Sequence, residues 1–343
     1  MGLDSPTASV VGRLAPSPTG RLHLGHARSF LLAWWSARAR GGRVLLRIED
    51  LDQERAREEW RAAIVEDLTW LGLDWDGPVE VQSEHLEGIG PAVDRLVTTG
   101  RAYPCVCTRR EVREAASAPH DETLDSGEPA YPGTCRGRFD SLAQAEAVSG
   151  RRAALRFAVG GADGTGDDGT TVPFEDSLHG PQAVDLARHA SDFVILRKGG
   201  LPAYQLAVVE ADARSGVTEV LRGDDLLVST ARQLLLQRAL GLPHPRWLHV
   251  PLVVDAAGER LAKRRGGLSL AELRQAGLQP EQLCAWAARS AGLDAPEPAT
   301  AAELLAAWDE GRLSAAPVAP PDELLSGGDA RTTTAAPREG PDG

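Results

Sequence analysis

Residues 12 to 26 read Gly12-Arg13-Leu14-Ala15-Pro16-Ser17-Pro18-Thr19-Gly20-Arg21-Leu22-His23-Leu24-Gly25-His26. An apolar run (Val10, Val11, Leu14) meets breaks at Pro16, Pro18 and Gly20, and a helical pattern opens at His23. A strand that turns sharply into a helix leaves free backbone N–H groups at the helix start, and amides and dipole there favour an anion. His23 and His26 are three apart and share one helix face. Two imidazoles and a row of amides at one point suit a phosphate that gains charge during a reaction. Taken alone, the same residues also fit a plain strand–turn–helix link with two surface histidines.

The pattern continues outward. Residues 10–15 read as a strand and 25–40 as a helix with Ala27, Phe30, Leu31 and Trp34 on one face. Val44 to Ile48 reads as a short buried strand, and Arg55 to Leu71 as a helix packed through Trp60, Ile64, Leu68 and Leu71. Strand, helix, strand, helix predicts a parallel α/β sheet, whose ligands gather at the carboxyl ends of the strands. Arg13 and Glu49 lie at or just beyond two such ends. Residues 101–185 differ: they hold three of the four cysteines, a polar stretch at 115–130 and strand-like runs at 153–159 and 170–174. They read as an inserted domain between a first catalytic half, 10–100, and a second, 186–267. In the second half Phe193 to Leu196, Val217 to Leu221 and Trp247 to Val254 read as strands, and Asp225 to Leu240 as a helix. Residues 268–311 read as a helical region, with capping boxes at Ser269/Glu272 and Thr300/Glu303 and Pro280 at a first helical position. Residues 312–343 are rich in Ala, Pro and Gly and are expected to be a disordered tail.

Bulk properties bound the answer. The chain has 343 residues, 42% of them hydrophobic and 25% charged, which is ordinary for a globular protein. No apolar run approaches a membrane span and no signal-peptide pattern opens the chain, so no membrane partner is expected and the cytoplasm is. Four cysteines do not suggest a disulfide framework. The net charge of −12 argues against a globally basic nucleic-acid binder, so RNA contact requires a local basic surface. The 37 basic residues are all arginine except Lys198 and Lys263. In such a chain a remaining lysine marks a place where a compact point charge against phosphate is required.

Four more groups carry chemistry. Arg47-Ile48-Glu49-Asp50-Leu51-Asp52 brings Glu49 from a strand end into a loop, where a carboxylate can hold an ammonium group; an ion pair with Arg43, Arg47 or Arg55 is the alternative. Arg222-Gly223-Asp224-Asp225 follows a strand, and the Arg222 fork suits a carboxylate, unless it bridges Asp224 or Asp225. Arg260-Leu261-Ala262-Lys263-Arg264 follows a strand and a turn at Gly258. Cys105, Cys107 and Cys135 offer three thiolates, and zinc asks for a fourth donor. Cys284 stands alone on a helical pattern and reads as core.

Together these segments resemble the class I aminoacyl-tRNA synthetases in their glutamyl version, over most of residues 10 to 290. His23-Leu24-Gly25-His26 is similar to the HIGH-type signature, Arg47 to Asp52 to the glutamyl R-I-E-D-x-D segment, and Arg260 to Arg264 to the mobile KMSKS-type loop. The resemblance implies a Rossmann-type parallel sheet split by an inserted zinc-containing domain. It implies that His23 and His26 stabilise charge on the α-phosphate of ATP, with Gly25 beside them, and that Lys263 acts on the departing pyrophosphate. It places glutamate among Arg13, Leu14, Ala15, Pro16, Ser17, Glu49, Tyr204 and Arg222, with Glu49 on its amino group. The family's C-x-C…Y-x-x-x-C arrangement makes Tyr131 the fourth donor of one structural zinc, with His120 as the rival. Arg260 and Ala262 depart from the loop's usual Lys and Ser, which bears on loop closure and rate.

Only about 80 residues follow Lys263, which does not suit a separate reader of the anticodon body. The family's short branch activates glutamate without tRNA and attaches it to queuosine in the anticodon of tRNA(Asp). The expected partners are therefore L-glutamate, ATP with Mg²⁺, and queuosine-bearing tRNA(Asp), for a monomeric ligase. The alternatives are a truncated glutamyl-tRNA synthetase that charges the tRNA 3′ end, and a non-catalytic synthetase remnant that binds nucleotide or RNA.

Overall fold

The computed structural model describes residues 9–116, 131–160, 171–186, 191–255, 257–259, 261 and 269–325. Its first sheet is parallel, in the order β1 (Val11–Leu14), β2 (Arg43–Ile48), β3 (Glu80–Val81). The helix Leu24–Arg38 crosses from β1 to β2, and Glu58–Trp70 from β2 towards β3. The expected inward faces form in part: Ala27, Leu31 and Trp34 are buried on the first helix and Ile64 and Leu68 on the second, while Phe30 and Trp60 are half-buried.

The later strands extend this layer. The antiparallel three-stranded sheet of β4 (Ala102–Cys105), β5 (Ala154–Phe157) and β8 (Phe193–Leu196) stands apart from it. A second sheet runs β7 (Gly180–Asp185), β6 (Thr171–Asp176), β10 (Arg246–Val250), β9 (Glu219–Gly223). β9, β10 and β6 are parallel, and β6–β7 is an antiparallel hairpin. The end of β9 meets β1: the Thr218 N–H donates to the Val11 carbonyl at 2.9 Å, and the Val11 N–H to Thr218 Oγ1 at 2.9 Å.

Strand pairing crosses the expected boundary at 185 in both directions. Thr171–Asp185 was expected in the insertion but joins β10 of the catalytic layer. Phe193–Leu196 was expected in the second catalytic half but joins β5 of the insertion. Local runs mark strands, but they do not say which distant strand supplies the hydrogen bonds.

The helices Leu270–Gln275 and Pro280–Ser290 share one core with the first sheet, through Leu270, Leu283 and Trp286 against Leu14, Leu46 and Ile48. Trp35, fully buried, donates from Nε1 to the Ala301 carbonyl at 2.8 Å. Both capping boxes form; the one at Thr300 heads a short 3-10 segment, Glu303–Ala307. The expected tail beginning at 312 needs correction. Val318 bridges Val253, and Leu324, on the turn of helix Asp322–Leu325, is buried in the main core. Residues 326–343 lie outside the described residues. Among the described residues, no helix is long and apolar enough to cross a membrane.

Candidate active site

The segment Ala15 to Leu22 leaves β1 and delivers the chain to the helix at Leu24. His23 is the N-cap: its Nδ1 accepts the Gly25 N–H at 3.1 Å. His26 reciprocates, its Nδ1 accepting the His23 N–H at 3.4 Å, and the two rings stack with centroids 3.7 Å apart. Both Nδ1 atoms are acceptors here, so the hydrogen of each neutral ring sits on Nε2, free for a ligand. Burial pushes the His23 pKa below its ordinary value; for His26, burial and then the neighbouring His23 do the same. The histidines therefore reach neutral pH as uncharged donors. A Cβ at residue 25 would lie 3.1 Å from the His23 ring, a tight contact that would make the ring give way by a few tenths of an ångström.

A cavity of about 490 Å³ opens beside this helix start. Arg13, Ala15, Pro16, Ser17, His23, Gly25, His26, Glu49, Tyr204 and Arg222 all line it, so most of the residues singled out in sequence converge on one space. Leu14 does not: its side chain is fully buried in the main core. The strand pleat explains this, because Arg13 and Leu14 point to opposite faces. Glu49 forms no surface ion pair. It is buried, with Oε1 3.1 Å from Arg47 Nη2, while its N–H donates to the Pro16 carbonyl at 2.9 Å. Burial raises the Glu49 pKa, and Arg47 and Arg13 oppose that rise. Arg222 makes no ion pair with Asp224 or Asp225 among the described residues. Its Nε donates to His249 Nε2 at 3.1 Å and its Nη2 to Thr230 Oγ1 at 2.7 Å. Its Nη1 is buried and has no hydrogen-bond partner among the described residues.

Sequence reasoning missed three participants. Asp212, buried on the helix Tyr204–Arg214, pairs with Arg47 at 2.7 Å and lies 3.7 Å from Arg13. Asp176 and His249 stand behind Arg222 and are fully buried. A polar residue within an apolar strand, as in Trp247-Leu248-His249-Val250, was the available signal.

A second cavity, of about 1010 Å³, shares Tyr204 with the first. Arg109, Arg113, Arg156, Arg197, Lys198 and Arg232 line it, a local basic surface on an acidic chain. The cysteine cluster forms part of its wall. The Sγ atoms of Cys105, Cys107 and Cys135 all lie within 4.8 Å of one another. The Tyr131 hydroxyl is 3.4 Å from Cys105 Sγ and 3.7 Å from Cys107 Sγ, and accepts the Cys135 N–H at 2.9 Å. Three soft thiolates and a fourth oxygen donor fit zinc. Arg156 Nε donates to Cys105 Sγ at 3.3 Å and its guanidinium lies 3.8 Å from the Tyr131 ring centroid, which offsets negative charge on the donors. The rival donor His120, and Lys263 with Arg260, Ala262 and Arg264, lie outside the described residues. Cys284 is core, as expected.

A parallel sheet and a histidine-capped helix start thus stand beside a cavity lined by Arg13, Glu49 and Arg222. Residues 9–300 match the family described as tRNA synthetases class I (E and Q), catalytic domain, and the chain belongs to that family. The fold agrees: glutamate–tRNA synthetase of Elizabethkingia anophelis superposes with a TM-score of 0.77 at 25% identity, over 92% of this chain and 69% of that one. Glutamyl-Q tRNA(Asp) synthetase of Symbiobacterium thermophilum is 46% identical over 331 residues, covering 93% of this chain and 99% of the relative. Its namesake from Nocardia farcinica is 47% identical, over 92% and 94% of the two chains. Within the class, the chain belongs with the glutamyl-Q tRNA(Asp) synthetases.

Proposed function

We propose that this chain activates L-glutamate with ATP, without tRNA, and transfers the glutamate to queuosine in the anticodon of tRNA(Asp). The observation that carries the reading is Arg222. A buried guanidinium with an unpartnered nitrogen, facing a cavity that also holds a buried carboxylate at Glu49, suits an amino acid with an acidic side chain. Arg222 takes the side-chain carboxylate, Glu49 takes the ammonium, and Arg13 and Tyr204 close the cavity around them. This fixes the α-carboxylate for in-line attack, a positioning effect.

A carboxylate oxygen attacks the α-phosphorus of ATP, and the bond to pyrophosphate breaks. His23 and His26 donate from Nε2 to the α-phosphate oxygens as charge builds there, and the amides of the helix start add to this. Lys263 stabilises the leaving pyrophosphate; Mg²⁺ bound to ATP would add charge neutralisation there. A hydroxyl of queuosine then attacks the acyl carbon and AMP leaves. The basic cavity beyond Tyr204 supports the second step, because it offers phosphate contacts next to the activated glutamate. Cys105, Cys107, Tyr131 and Cys135 would hold one zinc ion, whose role there would be structural, tying together the loops that carry them.

The test is glutamate transfer to natural tRNA(Asp), with the labelled nucleoside identified after digestion. Label on queuosine supports the reading. Label on the 3′-terminal adenosine would make the chain a tRNA-charging enzyme instead. Absence of glutamate-dependent ATP–pyrophosphate exchange in zinc-replete protein would make it a binding remnant.

A further inference from the structure

Arg222 is held from behind by Asp176 and His249, which do not line the cavity. β9 and β10 pair in parallel with Arg222 opposite His249. His249 Nδ1 lies 2.6 Å from Asp176 Oδ2, which also accepts the His249 backbone N–H at 3.1 Å. The other Asp176 oxygen accepts the N–H groups of Leu178 and His179 at 3.0 and 2.9 Å. Burial alone would raise the Asp176 pKa, but the hydrogen bonds from His249 and these backbone amides hold it below the ordinary value. It is therefore a carboxylate, which only accepts, so the ring hydrogen of His249 sits on Nδ1. That leaves a lone pair on Nε2, which faces Arg222 Nε at 3.1 Å, a group that only donates, and the Thr230 hydroxyl at 3.0 Å. Thr230 Oγ1 and the Leu226 carbonyl take Arg222 Nη2 at 2.7 and 3.3 Å, and the Trp247 ring lies 5.0 Å from the guanidinium carbon. Among the described residues, Nη1 is the one guanidinium nitrogen of Arg222 without a hydrogen-bond partner.

We propose that Asp176 and His249 are positioning residues that aim Arg222 Nη1 at the bound amino acid and so set the preference for a side-chain carboxylate over a carboxamide. The proposal rests on the reading of the smaller cavity as the glutamate site. Its physical content is a single tautomer. With the hydrogen on Nε2 instead, two donors would face each other in a fully buried place, and Arg222 would have to turn away. A charged imidazole would set a second cation against Arg222. Only the neutral Nδ1–H ring offers the lone pair that fixes the fork.

Two measurements test it. The first needs no substrate: ¹⁵N NMR of histidine-labelled full-length protein at pH 7, with His249 assigned by its loss in His249→Gln. The expected signal is a protonated Nδ1 and a bare Nε2. A protonated Nε2 overturns the proposal whatever the kinetics give. The second compares His249→Leu, which keeps bulk without an acceptor, with His249→Gln, whose Oε1 can occupy the place of Nε2, in glutamate-dependent pyrophosphate exchange. Leu is expected to raise KM for glutamate about tenfold to a hundredfold, the loss of one charge-assisted contact, with KM for ATP within about twofold. Selectivity for glutamate over glutamine falls by a similar factor, and Gln recovers most of both. An unchanged glutamate KM in the Leu variant, an equal rise in both KM values, or equal behaviour of Leu and Gln overturns the role. A wild-type protein that shows the Nδ1–H tautomer but no glutamate-dependent exchange overturns the glutamate reading, and the selectivity role with it, while leaving the geometry standing.

Discussion

Arg47 and Asp212 are paired at 2.7 Å with almost no solvent access, one at the end of β2 and the other on the helix Tyr204–Arg214. The same Arg47 nitrogen reaches Glu49 at 3.1 Å. Two segments 165 residues apart in sequence thus set the position of the carboxylate assigned to the substrate ammonium. Removing Asp212 would leave Arg47 and Arg13 buried with Glu49 as their shared counter-charge. Asp212→Ala is expected to destabilise the fold by about 3–5 kcal/mol, the cost of breaking a buried pair by one partner. Urea unfolding measures it. A loss of less than about 1 kcal/mol, the surface-pair range, would mean that water reaches this pair.

Arg222→Ala removes the only fixed charge assigned to the glutamate side chain. Glutamate-dependent exchange is expected to lose at least about 10²-fold in kcat/KM, because the contact is charge-assisted and desolvated. The split is diagnostic: KM for glutamate rises while KM for ATP holds. A variant that loses ATP binding to the same degree would place Arg222 on the nucleotide instead.

Lys263 is one of two lysines in an arginine-rich chain. Lys263→Ala is expected to lower the activation rate at least about 10²-fold, the scale of losing one preorganised charge stabiliser. Near-normal pyrophosphate exchange in that variant removes Lys263 from the mechanism. Lys198, the other lysine, donates to the Val106 carbonyl at 3.0 Å between two of the cysteines and is not expected to affect exchange.

The zinc assignment predicts one metal per chain, read by elemental analysis after purification in zinc. Cys107→Ser is expected to abolish retention during dialysis against a chelator. Tyr131→Phe is expected to weaken it, by the 10–100-fold that follows loss of a supporting group at a metal site or by more if the oxygen is a direct ligand. Full retention in Tyr131→Phe would hand the fourth position to another donor, with His120 the first to test.

How much of this was legible in the sequence depended on what carried it. Residue types that chemistry constrains, such as His23 and His26, Glu49, Arg222 and the three cysteines, stood out in their motifs, and the fold brings all but Cys135, which sits against the other two cysteines, to the lining of two adjoining cavities. His249 did not stand out because it is a single polar residue inside an apolar run, and Asp212 did not because it is one of three charged residues, with Glu210 and Arg214, on the same helix; the partner of each comes from a distant segment. The sheet membership of Thr171–Asp185 failed for the same reason, since pairing with β10 is non-local. Composition misread residues 312–325. An Ala/Pro-rich window averages to a tail, yet one bridge at Val318 and one buried leucine at Leu324 suffice to tie it down.

His249 also gives the fold a pH dependence of known sign. Burial is the main cause that lowers its pKa, to about 4 from an ordinary 6.5, and Arg222 adds to it against the pull of Asp176. The unfolded chain therefore binds a proton below pH 6.5 that the folded chain refuses until about pH 4. Stability is unaffected by this residue above pH 6.5 and falls as the solution is acidified below it. Between pH 7.5 and 5.0 the loss amounts to about 2 kcal/mol. His249→Gln removes that linkage, so its urea midpoint is expected to fall less over the same interval than the wild type's, whatever the two midpoints are at pH 7.5. Equal losses would show that His249 takes up its proton within the fold, and the lone pair on Nε2 that holds Arg222 would then be absent at mildly acidic pH.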